Sequence, residues 1–132
     1  MTPNEFLENR KTSDTHITKV CDLRYLSEMM GGKSNLVVGV IDTFIKQIPE
    51  ELHTINEAIE KNNFPVIKSF SHTMKSSVSI MGITILTPIL IEMQNLGEKG
   101  ENIERIKELN ITLQAICNIA IQEIITEKTK YT

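Results

Sequence analysis

Apolar residues recur at steps of three and four along almost the whole chain, the spacing of one helical face and not the alternation of a strand. Between residues 17 and 30, Ile17, Val20, Leu23, Leu26 and Met30 fall on one side, and Gly31-Gly32 follows. Glycine accepts the left-handed conformation that closes a helix, so the first helix is predicted to end there. A second predicted helix covers residues 34–61, with Leu36, Val37, Val40, Phe44, Ile48, Leu52, Ile55 and Ile59 on one side. Pro49 lies inside it, and a kink or short break is expected because proline lacks an N–H and crowds the preceding turn. Asn62-Asn63 closes that helix, and Pro65 stands in the first turn of a third, residues 64–81, where its missing N–H is harmless.

Gly82 and Thr84 punctuate the chain before a fourth helix over residues 85–97, for which Thr87-Pro88 is an alternative start. Gly97 and Gly100 are read as its end. The last helix, residues 101–127, repeats Ile103, Ile106, Leu109, Leu113, Ile116, Ala120 and Ile124. Four long amphipathic helices joined by short turns predict an all-α fold: an antiparallel up-down-up-down four-helix bundle with an additional N-terminal helix. Residues 1–15 show no apolar period and read as a flexible N-terminal tail, leaving residues 16–130 as the domain.

Composition narrows the picture. A chain of 132 residues with 40% hydrophobic content, 6 glycines and 4 prolines reads as one domain with a real core. The net charge of −3 comes without any run of Lys or Arg. No nucleic-acid partner is expected, since binding a phosphate backbone needs concentrated positive charge. Cys21 and Cys117 belong to no CxxC or Cys/His cluster, which predicts two reduced thiols and no zinc site. The opening MTPNEFLENRK lacks the apolar core of a signal peptide, and ITILTPILIEM is too short and interrupted to span a bilayer. No membrane attachment is expected, and the location is read as cytoplasmic.

The candidate chemistry sits on the third helix. Projected at roughly 100° per residue, Ile67, Phe70, Met74 and Met81 share one arc, with Val66, Ser77 and Val78 at its margins. Opposite them lie Pro65, Lys68, Ser69, His72, Lys75, Ser76 and Ser79. His72 is thus predicted to point outward, with Lys68 at i−4 and Lys75 at i+3 within reach of the ring. An isolated surface histidine is usually only solvated, and His16 and His53 have that reading. The surround of His72 is different. Serine is a poor choice for a helix interior because its hydroxyl competes for backbone bonds, so Ser76, Ser77 and Ser79 argue for a surface kept small. An unshielded imidazole flanked by cations is a competent nucleophile for a phosphoryl group carried by another protein.

The stretch from His72 to Gly82, HTMKSSVSIMG, resembles the signature of histidine-containing phosphotransfer domains, H-x-[LMI]-K-[GS]-[SA]-[SAV]-x-x-[LMIV]-G. His72, Met74, Lys75, Ser76, Ser77, Met81 and Gly82 match it. The likeness extends to Leu26–Gly32 followed by Phe44, and to the segment Leu90–Gly100, so it covers about residues 17–125. The resemblance implies that His72 accepts a phosphoryl group from a receiver-domain aspartyl phosphate and passes it to another receiver. It also implies that Lys75 contacts the phosphoryl oxygens and that Gln94, on the neighbouring helix, orients the imidazole. Ser76 would leave room for the receiver, with Lys68, Ser69 and Ser79 completing the docking surface. Met29 and Met30 are candidates for an apolar rim, and Gly82 for a tight turn.

Expected partners are response-regulator receiver domains and a hybrid sensor histidine kinase, met by a monomer. No cofactor is expected, because the divalent metal would belong to the receiver; nor is kinase or ATPase activity, since no GxxxxGK[ST] loop is present. Two other readings compete. A histidine-kinase dimerisation region usually has an acidic residue after the histidine, where this chain has Thr73. A receiver-binding module without phosphotransfer would have no need of His72 and Lys75 at this spacing.

Overall fold

The computed structural model describes residues 19–132. The tail predicted over residues 1–15, together with His16 and Ile17, lies outside the described residues. Five helices follow in order: α1 (Arg24–Met29), α2 (Ser34–Glu60), α3 (Phe64–Ile80), α4 (Leu86–Lys99) and α5 (Ile103–Lys128). Helix α2 packs on α3 and α5, and α4 packs on α3 and α5, while α1 leans on α2. Short turns between consecutive long helices make each pair antiparallel, so α2 to α5 close a four-helix bundle around one core.

Each long helix supplies its apolar face to that core. Ile41, Ile48 and Ile55 of α2, Ile67, Met74 and Val78 of α3, Leu86, Leu90 and Met93 of α4, and Ile106, Leu113 and Ile124 of α5 are fully buried. Removing each such side chain from water contributes roughly 1.5–3 kcal/mol. Leu36, expected on the inner side, is exposed, while its neighbour Val37 takes the core position. Helix α5 is long and apolar enough by composition to cross a membrane, but its inner face, including Cys117 and Ala120, is core. Ile111, 70% exposed, with Ile119 and Ile125, keeps its outer face apolar as well.

Three local expectations are corrected. Residues 19–23 are not helical, although Leu23 and Leu26 are buried as their spacing predicts. The amides of Val20 and Cys21 donate to the Glu123 carboxylate at 2.8–3.1 Å, and that of Asp22 donates to the Met81 carbonyl at 3.1 Å. These donors serve tertiary partners, so residues 19–23 form a strap held against the bundle; the Lys19 ammonium adds an ion pair to Glu127. Second, α2 runs through Pro49 without a break. Pro49 is on the solvent side, between Ile48 and Leu52, both anchored in the core, and tertiary packing holds the helix across the missing bond. Third, α4 starts at Leu86, within one residue of the predicted start and ahead of the alternative at Thr87-Pro88, but it continues through Gly97 to a left-handed cap at Gly100. Pro88 is then inside the first turn, where no N–H is needed.

The remaining helix starts follow the usual chemistry. Asn63 and Asn102 accept backbone N–H groups from Val66 and Arg105, at 3.4 and 3.3 Å, satisfying donors that the first turn leaves orphaned.

The strap makes Gly82 indispensable. Its φ is +68°, and a Cβ there would lie 2.2 Å from the Asp22 carbonyl oxygen. Gly82→Ala is expected to cost about 2–4 kcal/mol, from positive-φ strain and loss of the strap contact. Gly39 lies in mid-helix with nothing within 4 Å of its missing Cβ, so Gly39→Ala should add about 0.5–1 kcal/mol. Urea unfolding of both variants measures the contrast, and similar effects would contradict the strap contact.

Cys21 and Cys117 are both free and buried. Burial pushes each thiol up to about 12, with the Glu123 carboxylate adding to the effect at Cys21. Since the thiolate is the reactive species, a thiol reagent at pH 8 should titrate neither cysteine in the native protein and both after denaturation. Rapid labelling of the folded chain would show that the core is open.

Candidate functional site

The faces of α3 divide sharply. Ile67, Ser71, Met74 and Val78 are buried, while Pro65, Ser69, His72, Ser76 and Ser79 are exposed. Lys68 and Lys75 are half-buried, as expected for side chains that lay their stems on the helix and keep the ammonium in water. The core-facing arc is rotated from the predicted one. Phe70 is only partly buried, and Ser71 takes an inner place with its hydroxyl unpartnered.

The α3–α4 pairing opens a cleft of about 510 Å³ lined by Pro65, Lys68, Ser69, His72, Thr73 and Gln94. His72 stands at its edge in contact with water. Gln94 reaches it from α4, with its Oε1 buried and without a hydrogen-bond partner. A buried acceptor left unmade costs about 1–3 kcal/mol; Ser71 Oγ and Glu51 Oε1 are likewise buried and unpartnered, but of the three residues only Gln94 lines the cleft with His72. The Thr73 hydroxyl donates to the Ser69 carbonyl at 3.1 Å, which turns it away from the ring. The Lys68 ammonium is 3.6 Å from the Glu98 carboxylate of α4, an exposed pair that tethers the cation at the cleft mouth.

The cleft therefore brings Lys68, Ser69, His72 and Gln94 together. Lys75, Ser76 and Ser79 continue the same face of α3 but do not line the cleft. Sequence reasoning misses Glu98, although it lies one turn after Gln94 on α4, the i+4 spacing that shares a helix face. It also misreads Gly97, although Leu86, Leu90, Met93 and Gly97 continue one buried face at steps of four, three and four. Met29 is 47% exposed while Met30 is partly buried against the core, so only Met29 is available to a rim. A larger hollow of about 580 Å³ lies under the strap, lined by Lys19–Arg24, Gly82, Thr84, Glu127 and Tyr131. It contains no histidine. Among the described residues, no three His, Cys, Asp or Glu side chains gather as a metal site would.

A family model described as the Hpt domain matches residues 39–124, which contain all of α3 and α4. The chain belongs to the Hpt domain family. Its fold is also that of histidine-containing phosphotransfer protein B from Pseudomonas aeruginosa PAO1. That crystal structure superposes with a TM-score of 0.77 at 20% identity, over 85% of this chain and 96% of that one. Curated protein sequences give no significant match. The Hpt match begins after Leu26–Gly32, so the N-terminal part of the sequence resemblance lies outside it. As an Hpt domain, the chain is a histidine phosphotransfer module of two-component phosphorelays, a class of phosphocarriers working with response-regulator receivers and histidine kinases.

An exposed ring carries none of the fold. His72→Gln is expected to change stability by less than about 0.5 kcal/mol, measured by thermal unfolding; a larger loss would mean that the imidazole is a structural group.

Proposed function

We propose that His72 is the phosphoacceptor, taking a phosphoryl group from a receiver-domain aspartyl phosphate and passing it to a second receiver. The observation that supports this reading is the setting of the ring: exposed, between two half-buried lysines, above the buried and unpartnered Gln94 Oε1. A ring nitrogen attacks phosphorus, the P–O bond to the aspartate breaks, and its electron pair leaves with the carboxylate. The second receiver reverses these steps, its aspartate attacking the phosphoryl group and the imidazole leaving. Lys75 neutralises charge on the phosphoryl oxygens, and Gln94 accepts from the ring N–H, so that the opposite nitrogen presents its lone pair. Lys68, Ser69, Ser76 and Ser79 form the receiver's landing surface, where short side chains admit close approach.

Little more is required of this protein. Phosphoryl transfer depends mainly on alignment and charge stabilisation, and the receiver contributes its aspartate and divalent metal. We infer a cytoplasmic, monomeric carrier without kinase or ATPase activity of its own, fed by a hybrid sensor kinase.

Incubation with a hybrid sensor kinase carrying a receiver domain, ATP and magnesium should label the protein in an acid-labile, alkali-stable form. His72→Gln should abolish the label, and Lys75→Ala should slow transfer about tenfold or more while the melting temperature stays unchanged. Label persisting in His72→Gln would rule the assignment out.

A further inference from the structure

We propose that Gly97 is a positioning residue for phosphotransfer: its missing side chain lets α4 lie directly on α3, and this sets the depth at which Gln94 meets the His72 imidazole. The inference rests on the reading of His72 as phosphoacceptor and of Gln94 as its orienting partner.

Gly97 is buried in the last turn of α4. A Cβ built on it would lie 2.9 Å from the Lys68 backbone nitrogen and 3.2 Å from the Lys68 Cα and Cβ. Those are main-chain atoms of α3 and the root of a side chain, so no rotamer change can make room; the helices would have to separate. The two helices run antiparallel. One turn back along α4 from Gly97 is Gln94, and one turn forward along α3 from Lys68 is His72. Three and four residues correspond to rises of about 4.5 and 6 Å, so the Gly97–Lys68 contact and the Gln94–His72 pair are successive rungs of one seam. Both Gln94 and His72 line the same cleft, and so does Lys68.

A second helical glycine makes the contrast. Gly39 in α2 has nothing within 4 Å of its missing Cβ, so glycine there has no packing consequence. At Gly97 the lower helix propensity of glycine is retained at a point of backbone contact. The Gln94 Oε1 is unpartnered in the resting structure, so rotation of its side chain completes the bond when the attacking ring gains positive charge. Such a bond, formed only as phosphorus is attacked, is sensitive to shifts of a few tenths of an ångström in the seam.

The test compares Gly97→Ala, Gly97→Val, Gln94→Ala and the double variant Gly97→Ala/Gln94→Ala, with Gly39→Ala as control, using a phosphorylated receiver as donor. Gly97→Ala is expected to lower the maximal transfer rate about tenfold while KM for the receiver stays within about twofold, because the landing surface is unchanged; Gly97→Val should lower it further. In the Gln94→Ala background, Gly97→Ala should have little further effect, the non-additivity expected of residues acting through one contact. Gly39→Ala should transfer at the wild-type rate. Equal losses with and without Gln94, or wild-type transfer by Gly97→Ala, would overturn the inference. Loss of cooperative unfolding in Gly97→Ala would overturn it too, by assigning the glycine to stability alone. Failure of wild-type protein to be labelled, or label on His72→Gln, would instead strike at the phosphoacceptor reading itself.

Discussion

A nucleophile that serves other proteins must stand in water, while the helix beneath it must be fixed by an apolar core. Helix α3 meets both demands by dividing its surface. Ile67, Met74 and Val78 anchor it, and His72 projects from the opposite side among serines. Anchoring matters because transfer between two proteins requires the ring to be in place before the partner arrives; a mobile helix would lose the entropic advantage of a fixed nucleophile. The rest of the bundle follows from this division. Helices α2 and α5 thicken the core behind α3, and α4 alone lies near enough to add a side chain to the cleft.

Much of this was legible in the sequence, and the reason is physical. A four-helix bundle is specified largely by which residues avoid water, and that pattern is written at steps of three and four. The outward placement of His72 follows from the same projection. What escaped the pattern depends on contacts between distant segments. Residues 19–23 carry helical spacing, yet their amides are claimed by Glu123 and Met81, and no local rule anticipates donors taken by a carboxylate a hundred positions later. Pro49 reads as a breaker until Ile48 and Leu52 are seen held in the core on either side. Gly97 reads as a terminator because glycine usually ends helices, whereas here its neighbour across the seam decides its conformation.

The electrostatics of the cleft are modest. Lys68 is tethered by Glu98 across an exposed 3.6 Å pair, an interaction worth about 0–1 kcal/mol in water. A tether this weak holds the ammonium near the cleft mouth without fixing it there. The charge-dense elements elsewhere are structural: Arg105 joins α5 to Glu92 of α4 at 2.6 Å, and Lys128 joins α5 to Asp42 of α2 at 2.6 Å. Both lie at helix–helix seams where they set register, and neither touches the cleft.

Stability and function pull apart at one place. Away from the cleft the interior is apolar and close-packed, and Asn56, Asn110 and Gln114 satisfy one another between α2 and α5 at 2.6–3.2 Å. At the α3–α4 seam every rule that favours a helix bundle is relaxed. Serines replace better helix formers on α3, a glycine stands in the last turn of α4, and Gln94 buries an acceptor with nothing to accept. Each feature lowers the stability of an isolated helix pair, and all of them face or border the same imidazole. Gly39, Pro49 and the unpartnered Glu51 carboxylate oxygen are departures elsewhere in the bundle; what distinguishes the α3–α4 seam is that its serines, Gln94 and Gly97 lie within two turns of one exposed imidazole, the arrangement expected of a site kept for chemistry.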